Sequence, residues 1–394
     1  MKCRCPAVSN DVFDPIRLTR ALLAWYRANR REMPWRGHPD PYAVWVSEIM
    51  LQQTQVDTVR PYFARFMTRF PTVASLAAAP DDALLKPWEG LGYYTRARNL
   101  RKAAQVLLDR HAGKLPPTLA ELTALPGIGP YTAAAISSIC FGVCEPVVDG
   151  NVARVFSRFW LLTDDFRKPG PRAALADRLR PAITGCGDPG DFNQAIMELG
   201  ALLCSPRSPA CEACPLLPAC AAAKTGRQSD FPVRPAAAAI PERHAVGFIF
   251  RDARNRVLLV RRDSAGLLGG LWELPGGEIS KKHTSAAAAR LVHEQTGLAP
   301  AAIRPAGAIS HTFSHFRLRL GLYTATVPSG RIAPGLRDHV RWSPLPSDLP
   351  LTTATRRALA DAAALPAQSA RTNHRCFALT HSPAARRDAA ALPA

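Results

Sequence analysis

Four cysteines crowd into 17 positions, Cys204-x6-Cys211-x2-Cys214-x5-Cys220. Thiolates so grouped can ligate zinc or an iron–sulfur cluster, since both take cysteine sulfur tetrahedrally. Pro206, Pro209, Pro215 and Pro218 fix the path of the loop without regular structure. Ligand type alone leaves zinc and cluster both open. Two carboxylates form the next signal. In Val147-Val148-Asp149-Gly150-Asn151-Val152, Asp149 stands between an apolar pair and a Gly-Asn turn, the setting of a carboxylate fixed at a helix start. In Trp45-Val46-Ser47-Glu48-Ile49-Met50-Leu51-Gln52-Gln53-Thr54-Gln55, Glu48 sits in an otherwise apolar helix and shares a face with Leu51, Gln52 and Gln55. Poor solvation raises the pKa of such a carboxyl and suits it to general-acid work.

Between the two acids runs Leu125-Pro126-Gly127-Ile128-Gly129-Pro130-Tyr131-Thr132, followed by the helical run Ala133 to Ile139. Gly127 and Gly129 allow a tight turn that turns backbone amides outward at a helix N-terminus, where a phosphate can be held. This is the helix–hairpin–helix pattern, a grip on DNA backbone that is indifferent to base sequence.

These groups need a scaffold, and 394 residues suit two domains with linkers and tails. Lys plus Arg number 50 against 31 Asp plus Glu, a net charge of +19 that favours a polyanionic partner. At 47% hydrophobic, the chain can build real cores, and a largely disordered basic protein is excluded. No run of roughly 18 apolar residues offers a membrane span, and Met1 to Pro6 lacks the apolar stretch of a secretory signal. The reading is a cytoplasmic, nucleoid-associated monomer of bacterial type, in which ten cysteines mean thiols or metal rather than disulfides.

Residues 12–225 read as a mainly α domain. Leu18, Leu22 and Trp25 recur at helical spacing, and Arg96 to Leu108 and Pro171 to Ile183 continue the pattern. The Pro- and Ala-rich stretch 226–243 reads as a linker. Residues 244–362 read as an α+β domain, with strands at Ala245 to Phe250 and Val257 to Val260 and a helix at Ala286 to Glu294. Phe316, Leu318, Leu320 and Leu322 alternate with Arg317, Arg319 and Gly321, a half-buried strand with a basic face. The Ala-, Arg- and Pro-rich tail 365–394 is expected to be disordered.

Hairpin, following Asp and 6-2-5 cysteine spacing, in that order, resemble the helix–hairpin–helix DNA glycosylases of the endonuclease III superfamily. Val46 to Val56, Gly90-Leu91-Gly92-Tyr93-Tyr94-Thr95-Arg96-Ala97-Arg98-Asn99-Leu100 and Phe192-Asn193-Gln194-Ala195 resemble the MutY-type adenine DNA glycosylases within it, from about Val12 to Leu359. The resemblance implies excision of adenine opposite 8-oxoguanine or guanine after the base is flipped from duplex DNA. It implies that Glu48 protonates the base and Asp149 stabilises or captures the sugar cation, with Tyr131 and Asn151 orienting acid, water or sugar. Bifunctional relatives carry a nucleophilic lysine where Tyr131 stands, so no efficient lyase activity is expected.

The resemblance further implies a 4Fe-4S cluster on Cys204, Cys211, Cys214 and Cys220, with Lys224 and Arg227 beyond it available to phosphates. Gln53 and Thr54 lie in the strand-invading turn, and Tyr93 inserts at the lesion beside the basic stretch Arg96, Arg98, Arg101, Lys102. Arg36 and Glu198 match pocket positions of some relatives. The C-terminal domain resembles a Nudix fold with a degenerate box: Arg290, Glu294, Gly297 and Leu298 keep register, but Lys282, Leu291 and Gln295 replace glutamates that would hold Mg²⁺. It reads as a lesion reader, with Phe313, Ser314 and His315 engaging 8-oxoguanine. The rivals are a bifunctional endonuclease III-like lyase, a Nudix nucleotide hydrolase and a non-catalytic lesion-binding protein.

Overall fold

A computed structural model describes residues 14–38, 40–233, 240–326, 332 and 334–363. The tail expected to be disordered, 365–394, lies outside the described residues. The helical part comprises α1 Pro15–Asn29, α2 Pro41–Leu51, α3 Val56–Arg69, α4 Val73–Ala77, α5 Asp81–Leu85, α6 Thr95–His111, α7 Leu119–Thr123, α8 Pro130–Phe141, α9 Gly150–Trp160, α10 Pro169–Thr184, α11 Pro189–Leu202 and α12 Ala221–Lys224. Asp14, Asp40, Asp149 and Asp188 each accept amide hydrogen bonds as N-caps of α1, α2, α9 and α11. Proline at the first turn reinforces three of these starts.

Two cores fill this half. One gathers Trp45, Phe66, Trp88, Leu100 and Ile136 from α2 to α8; the other gathers Leu22, Tyr26, Phe156, Phe192 and Leu199 from α1, α9 and α11. Helix α8 feeds both, Ala133 and Ile136 to the first, Ala134 and Ala135 to the second. A helix apolar on every side belongs in an interior. Glu48 on α2 therefore rides on the first core and Asp149, capping α9, on the second. Leu18 and Leu22 face the core as the periodicity requires, whereas Trp25 is only half-buried and Tyr26 is the fully buried aromatic.

The second half is two packed sheets. Strands β1 Glu242–Ile249, β2 Val257–Arg261, β3 Trp272–Glu273, β4 Gly276–Glu278, β5 Ala301–Thr312, β6 Arg317–Thr326 and β7 Val340–Ser343 order as β4-β1-β6-β5 and β3-β2-β7. Only the β1–β6 pairing is parallel among these. Helices α13 Ser285–Thr296 and α14 Thr353–Ala363 complete two apolar clusters, one holding Phe248, Phe250 and Val292, the other Trp272, Leu320 and Leu359. On β6, Leu320 and Leu322 point inward while Arg317 and Arg319 are exposed, the alternation read from sequence.

A seam joins the halves. Leu271 is buried in the first helical core. Asp82 accepts a hydrogen bond from Trp272 Nε1 at 3.1 Å, and Arg261 reaches Asp81 and Asp82 at 3.6 and 3.4 Å. Lys86 Nζ donates to the carbonyls of Ser347 and Leu349 and pairs with Glu89.

Candidate active site

Glu48 lies at the inner side of α2 with 6% of its surface exposed. Burial first, then the nearby Asp149, pushes its carboxyl up to about 7, and Arg36 partly opposes this. Burial also raises Asp149, but the amides of Val152 and Asn151 and the Asn151 side chain pull the other way. Asp149 Oδ1 accepts from the Val152 amide at 2.7 Å, and Asn151 Nδ2 donates to Oδ2 at 2.9 Å. Glu48 takes no hydrogen bond among the described residues. The two carboxyls thus sit in unlike surroundings: burial raises both, but only Asp149 is held by hydrogen bonds that favour its charged form.

Tyr131, on the first turn of α8, is half-buried near both acids, and desolvation first, then the two carboxyls, hold its phenol well above the ordinary tyrosine range. Its hydroxyl donates to Met197 Sδ at 3.1 Å. Opposite, Glu198 is 2% exposed. Burial alone would raise its carboxyl, yet Arg31 and Arg36 overcome this and hold it below the usual range. Arg31 grips it with Nε and Nη2 at 2.9 and 3.0 Å plus its own amide, and Arg36 Nη2 stands at 3.3 Å. Arg31 escaped the sequence reading; its only sign was position in a run of arginines, Arg27, Arg30 and Arg31, that looks like a solvated helix end.

The hairpin forms as expected. Gly127 has φ 80°, and a Cβ there would come within 2.7 Å of Asn99 Cβ. Gly129 is the N-cap of α8, and a Cβ there meets nothing within 4 Å, so this edge is open. Ile128 between them is buried and anchors the turn.

Other expectations need correcting. The face shared by Glu48, Leu51, Gln52 and Gln55 stops early, because α2 ends at Leu51 and Gln53 turns left-handed at φ 59°. Gln52 instead bonds Thr132 Oγ1, and Gln55 caps α3. The basic stretch beside Tyr93 lies on α6 and is mostly drawn inward. Arg96 is turned onto backbone carbonyls, Arg101 onto Asp81 and the Ala79 carbonyl, and Arg98 is half-buried at the seam; Lys102 alone of the four is exposed.

The four loop cysteines line one cavity together with Leu203, Leu217 and Arg158. Arg158 Nη1 donates to Cys204 Sγ at 3.3 Å and Gln228 Nε2 to Cys211 Sγ at 3.6 Å, contacts that suit sulfur carrying negative charge. Among the described residues no three His, Cys, Asp or Glu are grouped as a single metal ion requires. An all-thiol set of four lining one cavity has the donor chemistry that an iron–sulfur cluster takes. Two arginines in α9, Arg154 and Arg158, were also unread in the sequence. They are 8% and 2% exposed, and Arg154 ties Asn151 Oδ1 to the Cys204 carbonyl.

In the second half, Phe313 stacks on Phe316 at 4.5 Å between ring centroids, with His311 edge-on at 4.6 Å. Ser314 and His315 are exposed at the tip. Gln295, in a box position that glutamate would fill, accepts from the Gly276 amide at 2.8 Å, and Leu291 packs on the core.

Comparison with known proteins agrees with this arrangement. Residues 46–181 match the HhH-GPD superfamily of base excision DNA repair proteins and 245–361 the NUDIX domain. The chain is 34% identical over 386 residues to adenine DNA glycosylase of Rattus norvegicus, covering 83% of this chain and 75% of that protein. It is 33% identical to that of Homo sapiens, covering 83% and 71%, and 35% identical to that of Buchnera aphidicola subsp. Baizongia pistaciae, covering 65% and 72%. A thermostable thymine-DNA glycosylase structure is 27% identical, covers 53% of this chain and 95% of its own, and has a TM-score of 0.49. No helix among the described residues is long and apolar enough to cross a membrane. The two matched domains and the identity to these relatives over most of the chain place it in the MutY-type adenine DNA glycosylases, base-excision enzymes that act on DNA.

Proposed function

We propose that the protein, as a monomer, removes adenine mispaired with 8-oxoguanine or guanine from duplex DNA by hydrolysis, without efficient strand cleavage. The observation that carries this is Glu48: a buried carboxyl pushed up to about 7 beside the hydrogen-bonded Asp149. Glu48 delivers a proton to the extruded base, so the departing purine leaves neutral. The sugar then gains positive charge, which Asp149 stabilises from its fixed place on α9, or captures covalently. Glu48, now ionised, takes the proton of the incoming water. Asn151 holds Asp149 in place, and Tyr131, kept protonated, supplies a neutral hydroxyl-bearing wall. The ionised Glu198, held by Arg31 and Arg36, is an acceptor suited to an exocyclic amino group.

A phenol cannot form an imine, so Tyr131 supports base removal alone. Gly127 and Gly129 grip backbone phosphate, Gln53, Thr54 and Tyr93 enter the duplex, and Phe313, Ser314 and His315 read the opposing base. With Lys282, Leu291 and Gln295 in place of glutamates, the C-terminal domain recognises and does not hydrolyse. Cys204, Cys211, Cys214 and Cys220 hold a 4Fe-4S cluster that staples the loop after α11 against α9. Iron content and visible absorbance of the purified protein check this, and bound zinc would contradict it.

The test is excision from duplexes with adenine opposite 8-oxoguanine, guanine and thymine in parallel, with borohydride present in one arm. Release opposite the first two, little opposite thymine and no trapped adduct are expected. A high-yield borohydride adduct would mean a lyase, and binding without release a non-catalytic reader.

A further inference from the structure

Gln53 and Tyr93, the two residues proposed to enter the base stack, share a backbone peculiarity. Both are exposed, and both hold left-handed backbone, φ 59° and 48°. Side chains of these types adopt that region only where surroundings enforce it. They lie in different turns, one after α2 and one before α6, yet one side chain binds both turns.

Arg96 Nη1 donates to the carbonyls of Ile49, Met50 and Gln52 at 2.9, 2.9 and 2.6 Å. Its Nη2 donates to the carbonyls of Leu91 and Gly92 at 3.3 and 3.1 Å and to Thr54 Oγ1 at 3.4 Å. The guanidinium also lies over the rings of Trp88 and Tyr93, 5.5 and 5.6 Å from their centroids. Ile49 and Met50 present the free carbonyls at the C-terminal end of α2, where a cation is favoured. Arg96 thus ends the helix of Glu48, closes the Gln53 turn and closes the Tyr93 turn at once.

We propose that Arg96 is a positioning residue that sets Gln53 and Tyr93 as one rigid double wedge for base extrusion. This rests on the glycosylase reading above and adds how extrusion is prepared. The planar fork is the reason arginine is needed: its donors diverge to two loops, whereas a lysine ammonium reaches one. Preset wedges spend no binding energy on ordering two turns when DNA arrives.

The full chain and Arg96→Lys are compared on a duplex carrying 2-aminopurine at the target adenine opposite guanine. The parent chain raises the fluorescence as the base leaves the stack. Arg96→Lys loses that rise and slows single-turnover excision by about tenfold or more. Its affinity for product duplex is unchanged, and the slowing shrinks to about threefold or less when an abasic analogue stands opposite the adenine, because no pair then has to open. Equal slowing on both substrates, or none on either, overturns the proposal. A parent chain that releases no base from any duplex overturns the glycosylase reading itself. Should Arg96→Lys not fold, Gln53→Gly and Tyr93→Gly, alone and together, read the same coupling. A shared anchor leaves the double variant within about twofold of the worse single one, whereas losses that multiply overturn it.

Discussion

The hydroxyls of Tyr93 and Ser314 stand 2.5 Å apart, one on the turn before α6 and the other at the tip of the β5–β6 hairpin. A residue proposed to pry the base stack and a residue proposed to read the opposing base therefore meet across the two halves of the chain. Duplex DNA entering between them must exchange this bond for contacts of its own. Both groups are exposed, so the bond adds less than about 1 kcal/mol to stability, and its value lies in register. Ser314→Ala is accordingly expected to leave the melting temperature almost unchanged. The ratio of kcat/KM for adenine opposite 8-oxoguanine to that opposite guanine should fall several-fold. An unaltered ratio would remove Ser314 from lesion reading.

The pH dependence has a definite sign. Glu48 is raised from 4.5 to about 7, so the folded chain holds a proton there that the unfolded chain releases between those values. Its contribution to stability is fully present below about pH 4.5 and is lost as pH rises through 7. Glu48→Gln, which cannot ionise, should therefore be more stable than the parent at pH 8, by up to about 2–3 kcal/mol, and about equal at pH 5. Single-turnover excision by the parent should decline above pH 7 as the acid is lost, with a limb near that value. Thermal unfolding of both proteins across this range, beside the rate profile, tests the assignment.

At the hairpin, Gly127→Ala puts a methyl 2.7 Å from Asn99 Cβ on a backbone of φ 80°. The turn must shift, and its amides with it. Affinity should weaken alike for mispaired and fully paired duplex, while the rate at saturating DNA stays near the parent value. Filter or anisotropy titration on both duplexes measures this; a loss confined to mispaired DNA would contradict the phosphate-gripping role.

The seam between the halves rests on few polar contacts, and Lys86 makes two of them, while also pairing with Glu89 on its own side. Lys86→Met leaves two carbonyls and the largely buried Glu89 short of a donor, a cost of roughly 1–3 kcal/mol. Small-angle scattering should show a larger radius of gyration, and preference for 8-oxoguanine should drop with excision opposite guanine retained. A compact variant with full preference would mean that the seam does not position the reader.

Much of this molecule was legible in its residues because chemistry constrains type and spacing together. The hairpin glycines, the acid at the α9 start and the cysteine loop each need those residues, and each lies where the spacing put it. What stayed hidden depends on direction in space. Arg96, Arg98 and Arg101 look like a DNA-facing run, yet carbonyls and Asp81 draw two of them inward. Arg31, Arg154 and Arg158 carry no signal in the sequence, yet each completes a buried network, around Glu198 or behind the cysteine loop. The helix of Glu48 reads as running past Leu51 because no glycine or proline interrupts Gln52 to Gln55, and nothing announces the left-handed turn at Gln53. Nor does sequence reveal that Tyr93 and Ser314 meet, since 221 positions separate them.

The central claim is that Glu48 supplies the proton and Asp149 the opposing charge. Single-turnover adenine release by Glu48→Gln, with affinity for the same mispaired duplex measured in parallel, tests it most directly. Loss of release by about a thousandfold or more with binding within a few-fold of the parent is expected. Release at the parent rate would contradict it.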